Sequence, residues 1–206
     1  MKRFHNEKIL KFGKKKKISA LCALVLTILS IVLFNVSEGF VLVLFPAFIW
    51  LIVAGIQMLT YGMLAKQLSD EEVAAIDAEL DAAGTVYLPK TKVYLTEHFI
   101  VSMGAFFFAS SYTDILWMYP YKYTLWFVIP VYSSLKVYFK KNCGVYDVAH
   151  AFVNTAKIKE EKEQIWNMVA AKGDNVVLGY GREGMEAAQA YRKSFKEAKK
   201  AAKQGR

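Results

Sequence analysis

The chain has 206 residues, 55% of them hydrophobic and 22% charged, with a formal net charge of +9. Its two cysteines, Cys22 and Cys143, exclude a disulfide framework. Cys22 lies inside an apolar run rather than at its end, which also excludes lipoprotein cleavage. The charged residues lie outside two long apolar stretches. This segregation indicates a membrane-anchored protein with one further domain.

The two apolar stretches are residues 18–34 and 40–64, separated by about half a dozen loop residues. A helix needs roughly 20 apolar residues to cross a hydrocarbon core of about 30 Å. The first stretch, at about 17 residues, is near the short limit, and the second, at about 25, can span with tilt. Gln57 is the one strongly polar residue of the second stretch. Because backbone in lipid must satisfy its own hydrogen bonds, residues 18–64 are predicted to form a transmembrane helical hairpin.

The cations that flank the hairpin predict its orientation. The basic N-terminal segment, residues 1–17, ends in the run Lys14, Lys15, Lys16 and Lys17, whereas the hairpin loop contains no Lys or Arg. By the positive-inside rule, we expect a multi-pass protein of the cell membrane with both termini in the cytoplasm. A cleaved signal peptide is the alternative, but no small-residue cleavage site follows Phe34 and a second span begins at once.

After the hairpin, residues 66–84 are predicted to form a connector helix. Ser69 and Glu72 form a capping box, in which each side chain bonds the other residue's backbone N–H. The helix should run to about Ala83 and stop at Gly84.

Residues 85–172 have the pattern of a strand-rich domain. Short β-branched and aromatic segments alternate with turns and predict about six or seven strands, which is typical of a small antiparallel barrel or sandwich. The uncharged stretches 99–112 and 123–135 are too short to span a membrane, so core strands are expected there. An amphipathic helix, residues 155–171, follows with Ile158, Ile165, Trp166 and Val169 near one face. This order of strands closed by a helix is that of a pleckstrin-homology-like (PH-like) domain.

Residues 173–206 contain a short apolar turn and then a basic helix from about Gly184. Residues 179–184 match the pattern GxGxxG, but no second strand with an acidic residue follows, as a dinucleotide site requires. A tight turn into the last helix is the preferred interpretation.

The segments 93–101 and 112–119, together with Gly179 and Tyr180, resemble bacterial membrane proteins in which two transmembrane helices precede a cytoplasmic PH-like domain. The resemblance covers most of residues 35–195. It implies an α+β membrane protein with an N-terminal helical hairpin, a PH-like antiparallel barrel or sandwich, and C-terminal helices. It implies no catalytic residue.

No residue pattern indicates a catalytic, cofactor or metal site. His5, His98 and His150 are widely scattered, and their spacing to Cys143 matches no metal-ligand pattern. The basic segments flank spans or form a tail without a nucleic-acid-binding motif, so nucleic acid is not an expected partner.

Candidate contacts to lipid or to a protein partner fall into three groups. Trp117, Tyr119, Tyr121 and Tyr123 alternate with period two and would lie on one strand face, as core or as an interface. The juxtamembrane lysines and the helical face of the tail could meet anionic lipid. The residues selected are Lys14, Lys15, Lys16, Lys17, Trp117, Tyr119, Tyr121, Lys193, Lys196, Lys200 and Lys203.

The sequence therefore predicts a non-enzymatic membrane-anchored adaptor or accessory protein, whose PH-like domain binds a protein partner or anionic lipid headgroups. Two alternatives stay open. One is a subunit of a membrane enzyme or transporter complex that shares its site with another chain. The other is a structural, self-associating membrane protein.

Overall fold

A computed structural model describes residues 4–34, 41–125, 129–152 and 154–204. It divides into two compact units, residues 1–78 and residues 79–206. The described helices are α1 (Glu7–Phe34), α2 (Val41–Gln67), α3 (Asp70–Glu79), α4 (Ala156–Lys172) and α5 (Arg182–Gln204). The described strands are β1 (Val86–Leu88), β2 (Val93–Leu95), β3 (Phe99–Met103), β4 (Phe107–Ser111), β5 (Ile115–Leu125), β6 (Ile129–Phe139), β7 (Gly144–Ala151) and β8 (Val177–Leu178).

The first unit contains the two long apolar helices α1 and α2. Helix α1 begins at Glu7 rather than at residue 18, so residues 7–17 of the basic segment belong to the helix instead of preceding it. Helix α2 ends at Gln67, three residues beyond the predicted stretch. The predicted hairpin loop, residues 35–40, lies outside the described residues.

Small side chains let α1 and α2 pack closely. Ala23, Ala47 and Ala54 are almost completely buried between the helices. Trp50 donates a hydrogen bond from Nε1 to the Ser19 hydroxyl at 3.1 Å. Ser19 and Ala23, which would suit association with another helix, are therefore used within this chain.

The connector helix α3 has the predicted cap. The Ser69 N–H donates to the Glu72 carboxylate at 2.8 Å, and the Glu72 N–H donates to the Ser69 hydroxyl at 3.1 Å. The helix ends at Glu79, earlier than predicted, where its carboxylate accepts bonds from the Thr96 hydroxyl and the His98 N–H. Burial disfavours the charged carboxylate, but these bonds outweigh it and the pKa of Glu79 lies below its usual value.

The second unit is built from two four-stranded sheets. The first is an antiparallel meander in the order β1-β2-β3-β4, and the second has the order β7-β6-β5-β8 with β8 parallel to β5. The Ser102 hydroxyl donates to the Val148 carbonyl at 2.7 Å, and the Phe108 and Phe139 rings meet edge to face. The two sheets therefore share one core. Neither closes into a barrel across the described strands, so the confirmed class is α+β.

The longest strands differ from their prediction. The sequence predicted core strand within the uncharged stretch 123–135, but this stretch contains the end of β5 and the start of β6, the two arms of a hairpin, each 11 residues long. Leu125 pairs with Ile129, so the chain reverses between them, and residues 126–128 are outside the described part. A continuous apolar run cannot by itself distinguish one strand from two that meet at a turn.

Helix α4 covers the core and fits its prediction to within one residue at each end. Thr155 caps its first turn, and Ile165 and Val169 are fully buried. The buried Glu161 carboxylate accepts three bonds from the β1–β2 connection: from the Lys90 N–H, the Thr91 N–H and the Thr91 hydroxyl. This carboxylate ties α4 to the first sheet.

Candidate functional site

The four lysines at positions 14–17, here called the lysine collar, lie within helix α1. Lys16 donates from Nζ to the Gln57 Oε1 of α2 at 3.0 Å. Lys14 and Lys17 line a cavity of about 230 Å³ between the helices, together with Leu10, Gly13 and Tyr61. The structure thus brings two collar lysines to one cavity and pairs a third with the one strongly polar side chain of the second apolar stretch.

The Lys16–Gln57 bond lies at the end of the charge-free part of α1. On the loop side of this bond lie residues 18–34 of α1 and 41–56 of α2, which contain no charged residue. At 1.5 Å per residue, 17 helical residues extend about 25 Å. The remainder of α2, from Gln57 to Gln67, runs beside the basic part of α1. The Lys16–Gln57 bond therefore lies inside the predicted second span, and exposed apolar side chains of α2, Leu59 and Met63, continue beyond it.

The outer surface of the hairpin is apolar. Both helices are long and apolar enough to cross a membrane. Large apolar side chains such as Leu21, Val25 and Phe45 are more than half exposed, and so is Leu59. Soluble proteins rarely expose apolar patches beyond a few hundred Å², so a surface of this extent marks a place where a membrane or another protein is contacted.

The aromatic series of β5 is divided between core and surface. Trp117 and Tyr119 stack with ring centroids 4.2 Å apart and are buried beneath helix α5. Tyr121 is half-buried with the Lys136 ammonium 4.2 Å from its ring centroid, and Tyr123 is exposed. A direct contact of Trp117 or Tyr119 with lipid or a partner would require displacement of α5. Tyr121 and Tyr123 are the members of the aromatic series that the fold leaves accessible.

The turn into α5 explains how Trp117 is held. Gly179 has a φ of 105°, and its carbonyl accepts a hydrogen bond from Trp117 Nε1 at 2.7 Å. Gly184 lies directly against the Trp117 ring, where a side chain would have no room. The glycines of the GxGxxG match therefore make a turn and a close helix–strand contact, as preferred from the sequence.

Comparisons of the chain with protein-family models, with curated proteins and with solved structures gave no match.

The tail lysines Lys193, Lys196, Lys200 and Lys203 all lie on helix α5 and are all exposed. Their spacing places them on one helical face. Their contact with anionic lipid stays a prediction.

The sequence did not indicate a second cavity, of about 220 Å³, between α4 and the β5–β6 hairpin. Lys122 comes from β5, Ser133 from β6, and Lys159 and Lys162 from α4. About 40 residues of sequence separate the first lysine from the last. Neither spacing nor composition joins them, because only the packing of α4 on the hairpin makes them neighbours.

The histidine and cysteine residues that the sequence analysis considered as metal ligands do not form one group among the described residues. His98 pairs with Glu79 at 2.7 Å, whereas Cys143 lies in the β6–β7 turn with a φ of 56°. Among the described residues, no group of three or more His, Cys, Asp and Glu side chains could hold a metal ion.

Proposed function

We propose that this chain is a non-enzymatic, membrane-anchored adaptor. Its helical hairpin spans the membrane, both termini are cytoplasmic, and the unit that follows is a PH-like domain that binds anionic lipid headgroups or a protein partner. The observation that carries the proposal is the apolar outer surface of α1 and α2, which on α1 ends at the lysine collar.

The polar groups of the hairpin also suit a lipid surrounding. The hydroxyls of Thr27, Ser30 and Thr60 each donate to the carbonyl four residues earlier, at 2.8 Å. Each hydroxyl is thus satisfied without water, which a hydrocarbon surrounding requires.

The collar favours anionic lipid as the first ligand of the adaptor. Cations beside the cytoplasmic leaflet gain about 1 kcal/mol each from anionic lipid. Basic cavities between transmembrane helices on that side are a recurring type of headgroup site. Lys14 and Lys17 lie at the mouth of such a cavity, with the Tyr61 side chain buried behind them. The self-associating alternative is less well supported, because Ser19 and Ala23 are already used within the hairpin.

We expect reporter fusions to place residue 206 in the cytoplasm and the 35–40 loop outside, since cations flank only one side of the hairpin. The protein should also resist extraction from membranes at alkaline pH, because its apolar helices have no alternative place to bury their surface. A C-terminus on the outer side, or release by alkali, would contradict the proposal.

Changing all four collar lysines to Gln is expected to reduce retention of anionic lipid by about thirtyfold, because Lys14 and Lys17 together contribute roughly 2 kcal/mol. The measurement is the amount of anionic lipid that co-purifies with the full chain in mild detergent, at low and at high salt.

The matched control changes Lys193, Lys196, Lys200 and Lys203 to Gln. It removes the same charge from an exposed helix face without a cavity. Equal loss in both variants would show that net charge rather than the collar retains lipid, and no loss in the collar variant would reject the site.

A further inference from the structure

The side chains that line the cavity between α4 and the β5–β6 hairpin carry more positive than negative charge. Lys122, Lys159 and Lys162 line it, and Glu163 is the one carboxylate among the described lining residues. Within the described part of the chain, none of the three lysines forms an ion pair. Three cations against one anion leave an excess of two positive charges around a small volume.

Lys162 is the innermost of these cations. It is half-buried, and its Nζ donates to the Ser133 hydroxyl at 2.8 Å and to the Ser133 carbonyl at 3.0 Å. Burial, together with the nearby Lys122, lowers the pKa of Lys162 to about 8. Lys122 faces it from β5, and Lys159 and Glu163 face it from its own helix. These contacts hold the ammonium in place without supplying a counter-charge.

The other walls of the cavity are apolar. Trp166, Leu135 and Pro120 contribute apolar surface to the lining. Asn154, two residues before the start of α4, adds an amide that can donate a hydrogen bond. A ligand that matches both the lysines and the apolar residues needs an anionic group with several acceptor oxygens and a small organic group.

We propose that this cavity binds a phosphate ester, with the phosphate held by Lys122, Lys159 and Lys162 and the organic part against Trp166 and Leu135. Lysine is a common ligand of phosphate, as a point charge that needs no planar geometry. Drug-sized ligands occupy cavities of roughly 300–1,000 Å³. The smaller volume here suits a small phosphate ester or the headgroup of a lipid rather than a whole lipid molecule.

The test uses the full chain in detergent and titration calorimetry with glycerol 3-phosphate, beside inorganic phosphate as the minimal probe. Lys122→Gln and Lys162→Gln should each weaken binding by about tenfold, because each removes a charge-assisted bond. Lys157→Gln is the matched control, since Lys157 is an exposed lysine of the same helix that does not line the cavity. Lys122 is exposed, so its variant is expected to fold.

Proton uptake distinguishes ligand binding at Lys162 from non-specific electrostatic attraction of the anion to the protein. Near pH 8 the Lys162 amine is about half neutral, and a bound phosphate should restore its proton. Binding measured in buffers of different ionisation enthalpy should therefore show an uptake of up to about half a proton at pH 8. The Lys162→Gln variant should show none.

A second arm identifies the source of the phosphate. Vesicles that contain phosphatidic acid are compared with neutral vesicles for the same variants, each in the background with Gln at all four collar positions. Saturable binding of glycerol 3-phosphate supports a soluble ester, and loss of vesicle binding in Lys122→Gln but not in Lys157→Gln supports a headgroup. If neither probe binds saturably, or if Lys122→Gln binds both as Lys157→Gln does, the cavity is not a phosphate site. Failure of the collar variant would leave this result unaffected.

Discussion

Replacing Glu161 with Ala is expected to lower the free energy of unfolding of the C-terminal unit by about 2–4 kcal/mol, because three donors lose one shared acceptor. The Lys90 N–H, the Thr91 N–H and the Thr91 hydroxyl all point at this carboxylate, and Thr91 is 2% exposed. Water cannot readily replace the lost acceptor at so buried a position. Glu161→Gln should cost less, since its amide oxygen can still accept while its NH₂ group faces a donor.

The measurement is the midpoint of urea unfolding, followed by tryptophan fluorescence of the full chain in detergent. Glu160→Ala is the control, because Glu160 is the exposed neighbour on the same helix. It should change the free energy of unfolding by less than about 0.5 kcal/mol. Equal shifts for the two alanine variants would mean that Glu161 contributes only its helix propensity, and that α4 is held to the first sheet by apolar packing alone.

Replacing Gly184 with Ala is expected to release the start of α5 from the second sheet. A Cβ at this position would lie 2.2 Å from the Nε1 of Trp117 and 2.3 Å from its Cε2, so either the ring or the helix must move. Overpacking of this kind costs typically 1–3 kcal/mol. Alanine is favoured over glycine within helices by up to about 1 kcal/mol, and the clash must exceed this gain. The expected net effect is therefore a loss of stability.

Gly181→Ala provides the matched control. Its Cβ would meet no atom within 4 Å, although it lies only three residues away. Limited proteolysis should cleave the Gly184→Ala protein between β8 and α5 several-fold faster than the wild type, and it should cleave the Gly181→Ala protein at the wild-type rate. Identical protection of all three proteins would show that Trp117 can move aside and that the close contact with α5 is not required.

Features encoded by neighbouring residues could be predicted from the sequence. The capping box of Ser69 and Glu72 depends on side chains three residues apart, and the cap of α4 at Thr155 is equally local. The two long apolar helices follow from composition alone, because no other arrangement of such stretches satisfies the backbone in an apolar surrounding.

Long-range pairing was decided only by the tertiary structure. The reversal between Leu125 and Ile129 follows from the pairing of β5 with β6, and an uncharged run gives no sign of it. The burial of Trp117 and Tyr119 depends on α5, which returns to their strand from about 65 residues later. Lys122 and Lys162 become neighbours for the same reason. Sequence patterns report which side chains share one face of an element, whereas the packing of distant elements determines which faces meet and what lies between them.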